Sequence, residues 1–292
     1  RDRSVSRGLG DVYKRQLVSS SCATPKTEQE DTTIIREDSG ITALKYSSPE
    51  VPASIEFCGK TIDLSRFDRH ERMDRELLAF TYMHSTSLQM LKKANRYFPI
   101  VEPILKENGI PDDFKYLMVI ESNMNPTARS SAGAAGLWQF MQGTGRDYGL
   151  EVNNNVDERY HIEKATRAAC RYLKDAYAKY KDWVAVAASY NAGQARIASQ
   201  LAKQDVDDSL DLQLVEETAR YVYRILAAKQ LFNAPTTFGF RLRASDLYPP
   251  IPYTEITVTK GIADLARFAR SKGINLAILK LSLIHISEPT RH

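Results

Sequence analysis

The sequence predicts a predominantly α-helical protein, and three observations support that fold class. Apolar residues recur at three- and four-residue steps through most of residues 71–233, which is the period of a helix with one buried face. The segments between these stretches are mostly short and rich in Gly, Pro, Asn and Asp, the residues that end helices and form turns. Alternation typical of a strand is confined to residues 253–259.

The first predicted helices lead to a single glutamate. Periodicity predicts a long helix from about residue 71 to residue 98 and a second over 100–108, which a glycine ends. Pro111 then begins a helix that runs from 114 to about 122 and carries Glu121 near its end.

Further helices follow a loop over residues 123–136, which is rich in Asn, Pro, Ser, Ala and Gly. Asp157 and Asp182 are the predicted N-caps of two of them, because a carboxylate there accepts hydrogen bonds from the first free amides. The predicted helices cover about residues 137–148, 157–181, 183–190, 194–204 and 212–232.

The two ends of the chain are set apart from the fold prediction. Residues 1–16 and 281–292 lack a usable hydrophobic period and resemble translated sequencing-adapter read-through. Most of the net charge of +4 comes from residues 1–16, which hold five basic and two acidic residues. The remaining charges are mixed and interspersed, so no nucleic-acid partner is expected. No apolar run approaches the roughly 20 residues that span a bilayer.

Cysteine usage leaves two interpretations of the N-terminal region open. The stretch L-V-S-S-S-C at residues 17–22 resembles the end of a bacterial lipoprotein signal, in which Cys22 carries the lipid anchor of a periplasmic, outer-membrane protein. The alternative is an ordinary cysteine in a disordered tether. In both cases residues 17–50, which are rich in Thr, Ser, Glu and Asp, precede the folded domain. Cys58 and Cys170 lack metal-ligand spacing, and Cys170 is interpreted as a buried thiol.

The C-terminal part is predicted to be a small α+β extension. Residues 234–254 contain four prolines and are predicted to form a stiff linker after the helical domain. Residues 255–280 continue with a strand and two helices, an order that resembles the opening of a LysM-type glycan-binding module without its last strand. An ordinary strand and helix extension packed on the helical domain is the alternative.

A series of short motifs carries the functional prediction. The motifs are E-S at 121–122, Pro126, A-x-S at 128–130, A-G-A at 132–134, G-L-W-Q-F-M at 136–141, A-S-Y-N-A-G at 188–193 and E-T-A-R-Y-V at 217–222. Their order and separations resemble those of the lytic transglycosylases of the lysozyme-like superfamily. Within that family the resemblance is closest to the membrane-bound D type, which combines a lipoprotein start, a helical catalytic domain and LysM modules. The resemblance implies a lysozyme-like domain over 51–233, with N-terminal helices at 71–108 and a catalytic core at 109–233.

Glu121 is the candidate catalytic acid. Cleaving a glycosidic bond requires a proton on the leaving oxygen, and burial against Val119 and Ile120 raises the pKa of a carboxyl, so that it keeps that proton near neutral pH. Most glycosidases add a second carboxylate, but no second acidic residue is expected within the motifs that line this site. The acidic residues that lie nearby in sequence are interpreted as helix caps or surface charges: Asp112, Asp113, Asp147 and Glu151.

The resemblance implies a reaction that needs one carboxylate and neither a metal nor another cofactor. Glu121 first protonates the bond between N-acetylmuramic acid and N-acetylglucosamine. It then takes the proton of the muramoyl C6 hydroxyl, which gives a 1,6-anhydromuramic acid product. A group that acts first as acid and then as base needs a pKa near the working pH.

The resemblance also implies seven binding residues. Ser122 and Ser130 match residues that hold the acid and the sugar amide, and Gln139 and Met141 match the floor of the cleft. Tyr190, Asn191 and Tyr221 match groups that bind sugar or orient the acid. Structural interpretations exist beside these: the tyrosines as half-buried aromatics, the asparagine as a helix-end residue and the methionine as core filler. Trp138 stands where relatives often have Met, and it either lines the groove or fills the core.

Two other functions stay open at this point. A true hydrolase, similar to goose-type lysozyme, would need a water molecule activated by a second carboxylate such as Asp147. A non-catalytic glycan-binding protein would use the same groove without turnover. In all three hypotheses the partner is the glycan strand of peptidoglycan.

Overall fold

The computed structural model of the protein describes residues 48–206, 208–252, 256, 258 and 261–282. Within these residues the chain is mostly helical, with ten α-helices and one two-stranded sheet, and the predicted fold class is confirmed. Cys22 and nearly all of the predicted tether lie outside the described residues, as do residues 1–16. None of the described helices has both the length and the apolar composition needed to cross a bilayer.

A β-hairpin that was not predicted from the sequence precedes the first helix. Strands β1 (Ser54–Phe57) and β2 (Lys60–Asp63) pair antiparallel through Cys58 and Gly59, whose φ angles of 52° and 82° are typical of a tight two-residue hairpin turn. The hairpin buries three side chains: Ile55, Phe57 and Ile62. Alternation of apolar and polar residues around a Cys-Gly pair was the available signal.

The first two helices divide at a different place from the one predicted. Helix α1 covers Phe67–Tyr82 and helix α2 covers His84–Glu107, so the break lies at Met83 and not at residue 99. Pro99 and Pro103 lie inside α2, although a proline in a helix interior costs about 3 kcal/mol. Burial of the apolar residues around the prolines offsets this cost: Val101, Ile104 and Leu105.

Six more helices complete the helical domain. They are α3 (Phe114–Ser122), α4 (Gln142–Asp147), α5 (Ile162–Tyr180), α6 (Trp183–Ala192), α7 (Gln194–Gln204) and α8 (Glu216–Asn233). Helix α3 packs against α2 and α8, and seven of its nine residues are buried. Helix α8 contacts α1, α3 and α6, so it connects the N-terminal helices to the helices around α3.

The prediction of a helix over residues 137–148 is wrong in its first part. Helix α4 begins only at Gln142, because Gly136 and Gln139 have φ angles of 77° and 49°, outside the helical range. A β-bridge between Ala135 and Phe140 closes this turn. The chain therefore forms a compact loop, and the motif G-L-W-Q-F-M lies in this loop.

The two predicted N-caps have different outcomes. The side chain of Asp182 accepts a hydrogen bond from the Val184 amide at 2.9 Å, which confirms it as the cap of α6. Asp157 instead caps a 3₁₀ turn at Glu158–Tyr160, and α5 begins only after that turn. Helix α8 likewise begins at Glu216, four residues later than predicted.

The predicted proline linker contacts the helical domain at several points along its described residues. Phe238 and Phe240 are buried, and the Tyr248 amide donates a hydrogen bond of 3.0 Å to the Lys92 carbonyl on α2. The Arg96 guanidinium donates to the Pro249 carbonyl at 3.0 Å and lies over the Tyr248 ring. These contacts attach the segment to the helical domain.

The residues beyond the linker form two short helices, α9 (Leu265–Ser271) and α10 (Leu276–Ser282). The strand predicted over residues 253–259 falls largely outside the described residues. Helix α10 ends two residues into the segment 281–292, the rest of which also lies outside them.

Candidate active site

Glu121 lies in the last turn of α3. The residues before it are apolar and buried, so the helix is held in the core and Glu121 is half-buried where the helix ends. The chain leaves α3 through Asn123 and Met124, both with left-handed φ angles, which turns the backbone away after the glutamate. Burial disfavours the charged carboxylate and raises the pKa of Glu121 from 4.5 to about 7.

Tyr221 is the direct partner of the glutamate. Its hydroxyl donates a hydrogen bond to Glu121 Oε1, and the tyrosine itself is buried on α8. This bond stabilises the carboxylate and lowers the pKa of Glu121 against the effect of burial. Burial and the negative charge of Glu121 hold the pKa of Tyr221 well above its ordinary value, so Tyr221 stays a hydrogen-bond donor.

Two charged residues on the same face of α8 also act on Glu121. Glu217, Tyr221 and Arg224 are spaced by four and three residues, which places them on one side of the helix. The Arg224 charge lowers the pKa of Glu121, and the Glu217 charge raises it. The expectation of no second acidic residue at the site is therefore wrong, because Glu217 lies within the motif E-T-A-R-Y-V itself.

The acidic residues considered in the sequence analysis have other positions. Asp113 accepts a hydrogen bond from the Cys58 amide at 2.7 Å and forms an ion pair of 2.8 Å with Lys229. Asp112 pairs with Lys115, and Asp147 is exposed at the end of α4. Among the described residues, the charged side chains that act on Glu121 are those of Arg224 and Glu217.

Tyr190 is placed next to the acid from α6. Its hydroxyl donates a 2.8 Å hydrogen bond to the Trp138 carbonyl. Burial first, and then the negative charge of Glu121, hold the pKa of Tyr190 well above its ordinary value. Tyr172 packs edge-on against the Tyr190 ring with centroids 5.0 Å apart, which fixes its orientation.

Asn191 connects α6 to the start of α8. Its Oδ1 accepts a 2.8 Å hydrogen bond from the Thr218 hydroxyl, and its Nδ2 lies 3.5 Å from Glu217 Oε1. These contacts place Tyr190, Asn191, Glu217 and Tyr221 along the seam between the two helices.

The other predicted binding residues make contacts within their own segments. The Ser122 hydroxyl donates to the Met118 carbonyl at 3.1 Å, and Ser130 Oγ accepts from the Ala134 amide at 3.0 Å. Gln139 Nε2 donates to the carbonyls of Ala128 and Gly136, at 3.1 and 2.8 Å, and holds the loop together. Met141 is exposed at the N-cap of α4, where its thioether side chain faces solvent.

Two buried residues shape the loop from the inside. Trp138 is fully buried, and its indole donates to Thr166 Oγ1 at 2.9 Å, so Trp138 fills the core and does not line the groove. Arg159 donates to the carbonyls of Gly133 and Phe140, at 2.7 and 3.0 Å. Nothing in the local sequence indicates that Arg159 is buried under a loop about 20 residues earlier in the chain, so its role is not predictable from the sequence.

A half-buried carboxyl with a pKa near neutrality, held by a tyrosine hydroxyl in a helical domain, has the chemistry of a general acid or base. Residues 99–211 match the family described as Transglycosylase SLT domain. The site spans more than this match, because Glu121 and Tyr190 lie inside it whereas Tyr221 on α8 lies beyond it.

The chain is 28% identical over 215 residues to membrane-bound lytic murein transglycosylase D of Escherichia coli strain K12, which is 72% of this chain and 46% of that protein. It is 29% identical over 150 residues to membrane-bound lytic murein transglycosylase C of Haemophilus ducreyi, or 46% of this chain and 40% of the relative. The chain thus spans about half the length, or less, of the curated relatives it matches. Its sequence similarities are therefore to lytic transglycosylases.

Among solved structures, the lytic transglycosylase Slt of Pseudomonas aeruginosa, determined as an inactive mutant, superposes with a TM-score of 0.41 at 22% identity. The match covers 49% of this chain and 24% of that chain.

Proposed function

We propose that this protein cleaves the β-1,4 bond between N-acetylmuramic acid and N-acetylglucosamine in peptidoglycan without water, giving 1,6-anhydromuramic acid ends. The observation that carries the proposal is Glu121: a carboxyl whose pKa is about 7 and which has a permanent hydrogen-bond donor, Tyr221. A group with this pKa is present in both protonation states near neutral pH, as one residue that acts first as acid and then as base requires.

In the first step, protonated Glu121 gives its proton to the glycosidic oxygen, and the bond from that oxygen to muramoyl C1 breaks. The leaving sugar departs with a free 4-hydroxyl, and positive charge develops on the muramoyl ring. Glu121 is now a carboxylate, which the Tyr221 hydroxyl stabilises through its hydrogen bond to Oε1.

In the second step, the Glu121 carboxylate takes the proton from the muramoyl C6 hydroxyl. The C6 oxygen then bonds to C1 of the same ring, which closes the anhydro bridge and returns Glu121 to its protonated form. The negative charge of Glu217 favours the cationic ring in between, and the charge of Arg224 favours the Glu121 carboxylate.

Glu217 also supports a second candidate function, a hydrolase. A second carboxylate near the acid is what an inverting or retaining glycosidase uses, and Glu217 takes the place that the sequence analysis gave to Asp147. In that case Glu217 would activate a water molecule or attack C1, and the product would carry a reducing end.

Mass spectrometry of digested peptidoglycan in isotope-labelled water separates the two functions. The proposed reaction gives anhydro ends that are lighter by one water and carry no label. Labelled reducing ends would show hydrolysis and would contradict the proposal. Glu121→Gln, assayed in parallel, controls for contaminating lytic enzymes.

The charges on α8 lead to a prediction about pH. Arg224→Gln is expected to raise the pKa of Glu121 and move the alkaline limb of kcat/KM to higher pH, because a stabilising positive charge is lost. Glu217→Gln is expected to move the same limb to lower pH, since it removes a repelling negative charge. The other titratable groups that face Glu121, Tyr190 and Tyr221, are unchanged in both variants.

The measurement is the pH dependence of kcat/KM on soluble glycan strands, which reports the pKa of the free enzyme. A change in rate without movement of the limb would show that these residues contact substrate only. Limbs that move in the same direction in both variants would contradict the assigned charges.

We further propose that the protein lies in the cell envelope, held by a lipid attached to Cys22. We also propose that residues 255–280 begin a LysM-like glycan-binding module. The lipoprotein-like stretch and the names of the relatives, which are membrane-bound murein enzymes, support this proposal. Residues 1–16 and 281–292 are proposed to be foreign to the natural protein. Labelling of the full-length protein with a fatty acid, lost in Cys22→Ala, tests the anchor.

A further inference from the structure

Helix α1 lies before the family-matched segment of residues 99–211, and helix α8 lies after it, yet the two helices pack along one another. At their contact, Glu76 on α1 is only 1% exposed. The Arg220 guanidinium on α8 holds both of its oxygens, with Nε 2.6 Å from Oε1 and Nη2 3.2 Å from Oε2. This is a two-point ion pair between residues that are 144 positions apart.

Arg220 immediately precedes Tyr221, whose hydroxyl bonds Glu121. Consecutive residues of a helix point about 100° apart, so Arg220 faces α1 while Tyr221 faces Glu121. A planar guanidinium bound at two points has little freedom, so the ion pair restrains α8 relative to α1 at this turn.

We propose that Glu76 is a positioning residue of the active site, and that α1, through the Glu76–Arg220 ion pair, holds the Tyr221 hydroxyl on Glu121. The inference rests on the proposed role of Glu121. It assigns a catalytic consequence to a helix that lies outside the segment matched to the transglycosylase family.

A neighbouring ion pair provides a matched control. Arg75 on α1 pairs with Glu216 on α8. Arg75 is one residue away from Glu76, and Glu216 is four residues away from Arg220. These side chains are 54% and 68% exposed, and an exposed pair of this kind restrains little. Arg75→Gln thus removes an ion pair between the same two helices while it leaves the Glu76–Arg220 pair intact.

The test compares Glu76→Gln with Arg75→Gln in kcat and KM on soluble peptidoglycan strands. Glu76→Gln is expected to lower kcat by about tenfold to a hundredfold, because a shift of about 1 Å in a catalytic contact has effects of this size. Its KM is expected to stay within about twofold. Arg75→Gln is expected to keep the wild-type kcat and KM.

A second measurement separates positioning from a merely structural role. Since the Tyr221 hydrogen bond lowers the pKa of Glu121, a loosened bond moves the alkaline limb of the pH profile upward in Glu76→Gln and not in Arg75→Gln. Tyr190 from α6 and Glu217, Tyr221 and Arg224 from α8, which also face Glu121, are the same in both variants.

A folded Glu76→Gln with wild-type kcat and an unmoved limb overturns the inference, even if its melting temperature falls. If Glu76→Gln does not fold, Arg220→Lys decides, since it keeps the charge but loses the two-point geometry. A kcat loss in Arg220→Lys supports the inference, and a wild-type kcat overturns it.

The proposed function and this inference fail in different ways. A wild-type protein without lytic activity refutes the function. The pKa of Glu121 is then measured without turnover, in the wild type and in each variant. In each case the free energy of unfolding is compared, as a function of pH, between the protein with Glu121 and the same protein with Glu121→Gln. An equal pKa in the wild-type, Glu76→Gln and Arg75→Gln backgrounds overturns the inference without any turnover measurement.

Discussion

Replacement of Glu121 by Gln is expected to lower kcat on peptidoglycan by about 10³-fold, while glycan binding is retained. The amide keeps the size and the hydrogen bond with Tyr221 but cannot donate or accept the proton in transit, and general acid and base steps contribute about 10² to 10⁴ in rate. The measurement is release of soluble fragments from purified peptidoglycan. Glu163→Gln, at an exposed glutamate in the first turn of α5, is the control and keeps full activity.

Turnover that survives in Glu121→Gln would assign the acid to another residue, and Glu217 is the first to examine. A wild-type protein that binds glycan strands and never cleaves them would favour the non-catalytic binding function. Retained binding with lost turnover in the variant is the result that supports the enzyme.

The same variant is expected to change how stability depends on pH. The folded-state pKa of Glu121 is raised from 4.5 to about 7, so its stabilising contribution is fully present below pH 4.5 and is lost as pH rises through 7. Glu121→Gln removes this dependence. Between pH 4 and pH 8, the free energy of unfolding of the variant therefore rises by about 3 kcal/mol relative to that of the wild type. Urea unfolding at the two pH values measures this difference.

Replacement of Gly136 by Ala is expected to destabilise the protein by about 4 kcal/mol or more, the largest stability effect of a single methyl group that we expect in the loop between α3 and α4. A Cβ at this position would lie 1.9 Å from the Arg159 carbonyl oxygen, and the φ angle of 77° already disfavours a side chain. Backbone must move to admit the methyl group. Activity is expected to fall as well, since the Trp138 carbonyl that binds Tyr190 lies two residues further on.

Gly133→Ala is the matched control for this prediction. Gly133 lies in the same loop with a φ angle of 89°, but a Cβ there would have no atom within 4 Å. Only the conformational cost of about 1 to 2 kcal/mol is expected. Equal losses in the two variants, measured by chemical unfolding, would contradict the close contact at Gly136.

Local patterns in the sequence were sufficient to predict the fold class and the position of Glu121 near the end of a buried helix. Helices α3, α6 and α7 follow from apolar periodicity and from turn residues, because such signals act within about one or two turns of the chain. Glu121 and Tyr221 were both candidates, and the structure joins them by a hydrogen bond although they are 100 residues apart. Where local signals conflict with packing, as at Pro99 and Pro103 in α2, the prediction fails because buried contacts outweigh the cost of each proline.

What the sequence by itself determined is thus a helical domain and a glutamate at the end of a buried helix. Only the tertiary structure decided which charges face that glutamate, because Glu217 and Arg224 act on it through the packing of α8 on α3. The same holds for the ion pair between buried Glu76 and half-buried Arg220 and for Arg159 under the loop, whose partners are distant in sequence. Electrostatic and hydrogen-bonding partners depend on distance in space, and no periodicity in the chain encodes that distance.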